Sequence, residues 1–148
     1  MRAVLQRVSS ASVSVDGELI ARIGPGLLVL VAVAAADTRS EAEWMARKLR
    51  ALRIFDDGRG RMNEPLGDRE VLCVSQFTLL GDVARGNRPS WGRAAPASVA
   101  QPLYESLCEL LGAQRGAFGA HMEVDLTNDG PVTLLVDSPS PGPVLNGG

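Results

Sequence analysis

A chain of 148 residues fits one domain, and folding at that size buries roughly two-thirds of the unfolded surface, enough for a genuine core. With 45% hydrophobic and 22% charged residues, the composition is that of an ordered globular protein and excludes disorder of the whole chain. The formal net charge of -2 argues against a globally basic nucleic-acid binder, so any contact with a polyanion must be local.

The first residues, Met1 to Arg7, do not read as a signal peptide, because the apolar run is short and Gln6 and Arg7 interrupt it. The apolar stretch Leu27 to Ala36 is about half of what a bilayer crossing needs. No membrane partner and a cytoplasmic location are therefore expected. Cys73 and Cys108 sit in apolar contexts and read as reduced core residues.

Ser12 to Val15 and Glu18 to Ala21 flank Asp16-Gly17, a two-residue hairpin signal in which both turn residues must tolerate positive φ. Gly24-Pro25-Gly26 predicts a turn, and Leu27 to Val33 a strand buried on both faces. Ser40 with Glu43 reads as a capping box. Ala42, Met45, Leu49 and Leu52 continue it at helical spacing to about Arg53. A loop at Asp57 to Gly60 precedes an expected strand from Glu70 to Leu80. Gly81 to Pro96 is a Gly-, Pro- and Arg-rich loop. A second helix is expected from Ser98 or Pro102, with Leu103, Leu107, Leu110 and Leu111 as its apolar stripe and Gly112 as its end. Phe118, Ala120, Met122, Val124 and Leu126 alternate, which predicts one strand face, with His121, Glu123 and Asp125 on the other. Asn128 to Pro131 reads as a hairpin turn, Val132 to Val136 as a closing strand, and Asp137 to Gly148 as a disordered tail. The fold class is α/β, close to α+β. It is one β-rich domain over residues 1–136, with a mixed, mostly antiparallel sheet or partly closed barrel and two main helices.

Familiar catalytic signatures are missing. There is one histidine, and no zinc spacing, P-loop or nucleophile elbow, so neither a metal nor a cofactor is expected. A triad of Ser75, His121 and Asp125 is readable, but an exposed His121 on a polar strand face is the blander account. Cys73 lacks the neighbouring cation or helix N-terminus that would activate a thiol. Trp44 reads as helix packing, and Trp91 as a loop anchor or a base-stacking residue. Three segments resist a packing explanation. Ser75-Gln76-Phe77-Thr78 puts polar groups into an apolar strand, where each unsatisfied one costs about 1–3 kcal/mol. The loop from Arg85 through Arg88 to Arg93 offers planar forks suited to phosphate. Asn128-Asp129-Gly130-Pro131-Val132-Thr133 is the third.

Taken in order, these segments resemble the D-aminoacyl-tRNA deacylases. The resemblance covers about residues 1–136 and includes Gln6-Arg7-Val8, Gly86-Asn87-Arg88-Pro89-Ser90 and Phe118-Gly119-Ala120-His121-Met122. It implies a homodimer with its active site at the subunit interface. Ser75, Gln76, Phe77 and Thr78 would surround the ester and the terminal adenosine of the tRNA 3' end. Gly130-Pro131, joined in cis and held by Arg7, would enter the partner's pocket and select chirality. Asn128, Thr133, Phe118, Ala120 and Met122 would complete the substrate site, and Arg85, Arg88 and Arg93 would bind tRNA. The implied reaction is hydrolysis of the D-aminoacyl-tRNA ester, and of glycine mischarged on tRNA, by water, with backbone oxyanion stabilisation and help from the substrate 2'-OH. The rivals are a non-catalytic RNA- or nucleotide-binding β-barrel module and a different ester or peptide hydrolase using Ser75 or Cys73.

Overall fold

The computed structural model describes residues 1–139. Strand β1 (Arg2–Val15) turns through Asp16 and Gly17, at φ 51° and 78°, into β2 (Glu18–Ile23), as the Asp-Gly signal predicts. Strand β3 (Gly26–Ala32) follows, then helix α1 (Arg39–Ala51), a small hairpin of β4 (Phe55–Asp56) and β5 (Met62–Glu64), and strand β6 (Glu70–Ser75). A 3-10 turn (Phe77–Leu80) leads to the arginine loop. Helix α2 (Ala97–Leu111), the short β7 (Gln114–Arg115) and the long β8 (Glu123–Asp137) complete the order.

The main sheet runs β2-β1-β3-β6-β7, with β8 paired along the other edge of β1. The β3–β6 and β6–β7 pairs are parallel and the rest antiparallel, so the sheet is mixed and curls into a nearly closed barrel. Two cores follow from the period of two along its strands. Leu27, Val29 and Val31 of β3 and Val71 and Cys73 of β6 face α1 and α2. Leu28, Leu72 and Val74 face the inside of the curl, against Val8, Val13 and Ile23. That is why β3 and β6 read as unbroken apolar runs. The irregular pairing between Val8 and Ser10 flips which side chains of β1 point inward, from Val8 to Ala11 and Val13.

Several expectations need correction. The capping box of α1 is Thr38 with Glu41, two residues before the frame of Ser40 and Glu43. Buried Asp37 accepts the Ala34 N–H at 2.6 Å and sets the preceding turn, so Thr38 is the last extended residue. In α2, Tyr104 and Cys108 join Leu107 and Leu111 on the buried face, while Leu110 is exposed and Pro102 lies inside the helix. Gly112 ends α2 in the left-handed conformation, as expected. Strand β6 stops at Ser75 rather than Leu80. Residues 118–122 form a turn rather than a strand, because Gly119 has φ 76° and Ala120 N–H bonds back to the Ala117 carbonyl. Asn128 to Pro131 is not a hairpin between two strands, since β8 runs continuously past it. The tail expected from Asp137 is tied down at its start, where Asp137 ends β8 and bonds Arg2, and Ser138 bonds Met1. Residues 140–148 of it lie outside the described residues.

Candidate functional site

The polar break in β6 has a direct physical cause. Ser75 is the last residue paired to β3, beside Val31, and the Gln76 N–H still donates to the Val31 carbonyl at 2.7 Å. Gln76, at φ -142° and ψ 77°, then turns the chain out of the sheet into the 3-10 turn. Phe77 and Thr78 are the first residues of that turn. Leading amides of a helical turn have no carbonyl within it to bond, so they point outward as donors. The Gln76 side-chain amide donates to the Thr78 hydroxyl, which fixes both polar side chains in one orientation. The polar residues of this segment thus sit where the sheet ends, which answers why an apolar strand carries them.

A cavity of about 440 Å³ opens beside this break. Ser75, Gln76 and Phe77 line one side, and Phe118, Ala120 and Met122 the other. That volume falls in the range of small-molecule sites. Small residues from the start of α2, Ala97 and Ala100, leave the space open. The ring of Phe118 packs at 5.8 Å from that of Tyr104, whose hydroxyl donates to the Cys73 carbonyl at 2.8 Å, so the far wall is anchored to β6. Six of the expected site residues therefore converge from segments distant in sequence. His121 lines the same cavity, a role the strand reading missed because the Gly119 turn brings consecutive residues to one side.

The triad is not assembled. Asp125 lies on β8 opposite Ser12, in a different depression from His121 and Ser75. Cys73 is fully buried, and its hydrogen bond with Cys108, together with burial, pushes its thiol well above the ordinary value, so it is no nucleophile at neutral pH. Among the described residues, no group of three or more His, Cys, Asp or Glu side chains is placed to hold a metal ion.

Gly130 and Pro131 lie elsewhere on the chain, exposed on β8 and outside the lining of this cavity. Their peptide bond is cis. Strand β1 pairs Val8 with Asn128 and Gln6 with Thr133, so residues 129–132 bulge out opposite the single residue Arg7. Two side chains clamp the bulge. Asn128 Nδ2 donates to the carbonyls of Arg7 and Val132, both at 3.0 Å, and closes its base. Arg7 Nε donates to the Asp129 carbonyl at 3.0 Å, and its Nη1 to the Ile54 carbonyl at 2.9 Å and Asp56 Oδ1 at 3.1 Å. Gln6 bonds Thr133 at 3.2 Å just beyond. Gly130 has φ 133°, and a Cβ there would lie 2.8 Å from Val132 Cγ2 and 3.0 Å from Arg7 Nη2. Only glycine fits. The partners Ile54 and Asp56 carry no sequence signal, because the contact joins segments far apart in the chain.

The arginine loop borders the cavity. Asp82 and Ser90 exchange backbone hydrogen bonds at 2.9 and 3.0 Å, closing its neck. Arg85, Arg88 and Arg93 are exposed and form no ion pair among the described residues. Trp91 packs edge-on against Phe77, with ring centroids 5.3 Å apart.

The chain is similar to known proteins along most of its length. Residues 4–137 match the family model described as D-Tyr-tRNA(Tyr) deacylase. The chain is 50% identical over 147 residues to the D-aminoacyl-tRNA deacylase of Chlorobaculum parvum, covering 94% of this chain and 99% of that one. To the enzyme of the same name from Thermomicrobium roseum it is 52% identical over 145 residues, covering 93% and 94%. Among solved structures, a protein titled c-Myc DNA Unwinding Element Binding Protein superposes with a TM-score of 0.88 at 43% identity, over 94% of this chain and 99% of that chain.

Proposed function

This chain belongs to the D-Tyr-tRNA(Tyr) deacylase family, the D-aminoacyl-tRNA deacylases, and from that premise we propose how its residues cleave the ester and reject L-amino acids. Hydrolysis of the D-aminoacyl-tRNA ester goes with membership, and outweighs the non-catalytic binding module that the name of one similar structure suggests. We place the ester in the cavity between Ser75, Gln76 and Phe77 and the turn of Phe118 to Met122. The observation that carries this placement is their convergence around a space the size of a small ligand, beside the leading amides of the 3-10 turn.

An aminoacyl ester is already activated, so the site need only orient a water and stabilise the oxyanion. The outward amides of Phe77 and Thr78 supply that stabilisation, and one such donor is worth about 10²–10³ in rate. Water adds to the carbonyl carbon, the tetrahedral intermediate collapses, and the ribose oxygen leaves with a proton, aided by the neighbouring 2'-OH. Free amino acid and intact tRNA are the products. Thr78 has no base beside it to make it a nucleophile, and its hydroxyl is already engaged by Gln76.

Chirality is sorted by main chain. In a homodimer, the exposed Gly130-Pro131 bulge enters the partner's cavity and presents carbonyls to Cα. Hydrogen or an amino group fits that wall, and an L side chain does not. The range of D-amino acids is then broad, and glycine on tRNA is also cleaved. The protein works in the cytoplasm, where aminoacyl-tRNA is made.

Three measurements test the reading. Purified protein should deacylate several D-aminoacyl-tRNAs and glycyl-tRNA while sparing L-aminoacyl-tRNA; activity confined to one D-amino acid would defeat the main-chain wall. Thr78→Ser should yield no trappable acyl-enzyme. For the shared site, inactive Gly130 and Thr78 variants should regain about one quarter of wild-type activity when mixed and allowed to exchange subunits, because half the dimers carry one intact composite site. No recovery on mixing places the whole site within one subunit.

A further inference from the structure

We infer that the exposed pair Phe77 and Trp91 is a nucleobase-binding site, taking the unpaired base just before the terminal adenosine of the tRNA. The inference rests on the placement of the ester given above. Phe77 is 54% exposed and Trp91 42%, yet neither ring is loose. They meet edge to face at 75°. Trp91 also lies on Gly81, where a Cβ would come within 2.6 Å of its Cζ3. The doubly bonded neck at Asp82 and Ser90 fixes the loop behind it. Rigid aromatic faces left open to solvent are what base stacking needs, because every base has a π-face and the protein has nothing left to order.

Position and charge select the occupant. Phe77 lines the cavity that takes the ester, so the rings stand at its mouth. A tRNA end whose last nucleotide enters the cavity must pass its preceding base across that mouth. Arg85, Arg88 and Arg93 lie exposed on the same loop and form no ion pair among the described residues, ready for the phosphates that accompany such a base.

The test is a coupling cycle. The substrates are D-tyrosyl-tRNA with its normal CCA end and the same tRNA with an abasic residue at the penultimate position. Wild-type protein should show about a tenfold higher KM for the abasic substrate. Trp91→Ala should show a high KM for both and no further penalty for the missing base, and Trp91→Phe should restore most of the difference. Additive effects of the variant and the abasic residue overturn the inference. A second measurement stands if Trp91→Ala fails to fold: in a Trp44→Phe background, Trp91 emission should be quenched saturably by uncharged CCA trinucleotide. Emission that does not respond also overturns it. Wild-type protein that spares every D-aminoacyl-tRNA, while CCA still quenches Trp91, would sink the proposed reaction and leave the base site standing.

Discussion

Arg7 shows how one side chain can tie sequence to function. Its side chain is only 8% exposed; Nε reaches the bulge carbonyl of Asp129, while Nη1 reaches both the carbonyl of Ile54 and the carboxylate of Asp56. A lysine ammonium is a single point and cannot span them. Arg7→Lys should therefore cost about 2 kcal/mol in urea unfolding, the price of leaving a buried carbonyl unpaired. Deacylation should fall at least about tenfold, as the bulge loses its clamp. Asp56→Asn is the control, since its carboxylate is 54% exposed and such a pair is worth at most about 1 kcal/mol. Equal losses in the two variants would contradict the clamp. Gly130→Ala belongs here too. At φ 133°, with Val132 and Arg7 against the new methyl, it should destabilise by about 1–3 kcal/mol and abolish most activity. Wild-type kcat/KM in that variant would show that the bulge tolerates a side chain.

At the scale of elements, the same motif can be legible in type and misread in frame. The sequence pattern puts the helix start at Ser40, and the buried Asp37 turn moves it to Thr38. Thr38→Ala should cost about 1 kcal/mol, read as a lower Tm, whereas Ser40→Ala should cost only a few tenths. Burial pushes the Glu41 carboxyl up, but hydrogen bonds from the Thr38 hydroxyl and backbone outweigh it and bring it below its ordinary value of 4.5. A depressed carboxylate contributes stability that is complete above the unfolded value and lost as pH falls through the folded one. Glu41→Gln should thus flatten the decline in stability below about pH 5, seen in urea midpoints measured down the acid limb. The other misreadings share a cause. Alternation from Phe118 to Leu126 is real, but the Gly119 turn breaks it, and polarity at Ser75 marks the end of β6 rather than the interior of a longer strand. Apolar periodicity shows which residues pack. It does not show where a backbone leaves its sheet, which long-range pairing settles.

At the scale of the molecule, what was legible is what burial enforces. The continuous apolar run in β3 signalled layers on both faces, and two cores are there. That the cavity and the Gly130 bulge sit on different parts of the chain was not legible from pattern alone, because long-range pairing places both. Charge behaves likewise. A net charge of -2 gives no overall attraction to tRNA, so binding must come from a patch that the total conceals. If Arg85, Arg88 and Arg93 each displace a counterion from a single-stranded end, log(1/KM) should fall against log[salt] with a slope of about -2. Removing one arginine should bring that slope toward zero by about 0.7, whichever is removed. D-aminoacyl-adenosine, which carries no phosphate, should show almost no salt dependence with the wild-type protein. A steep slope that persists after all three are replaced would move the phosphate contacts off this loop, to another basic surface of the protein.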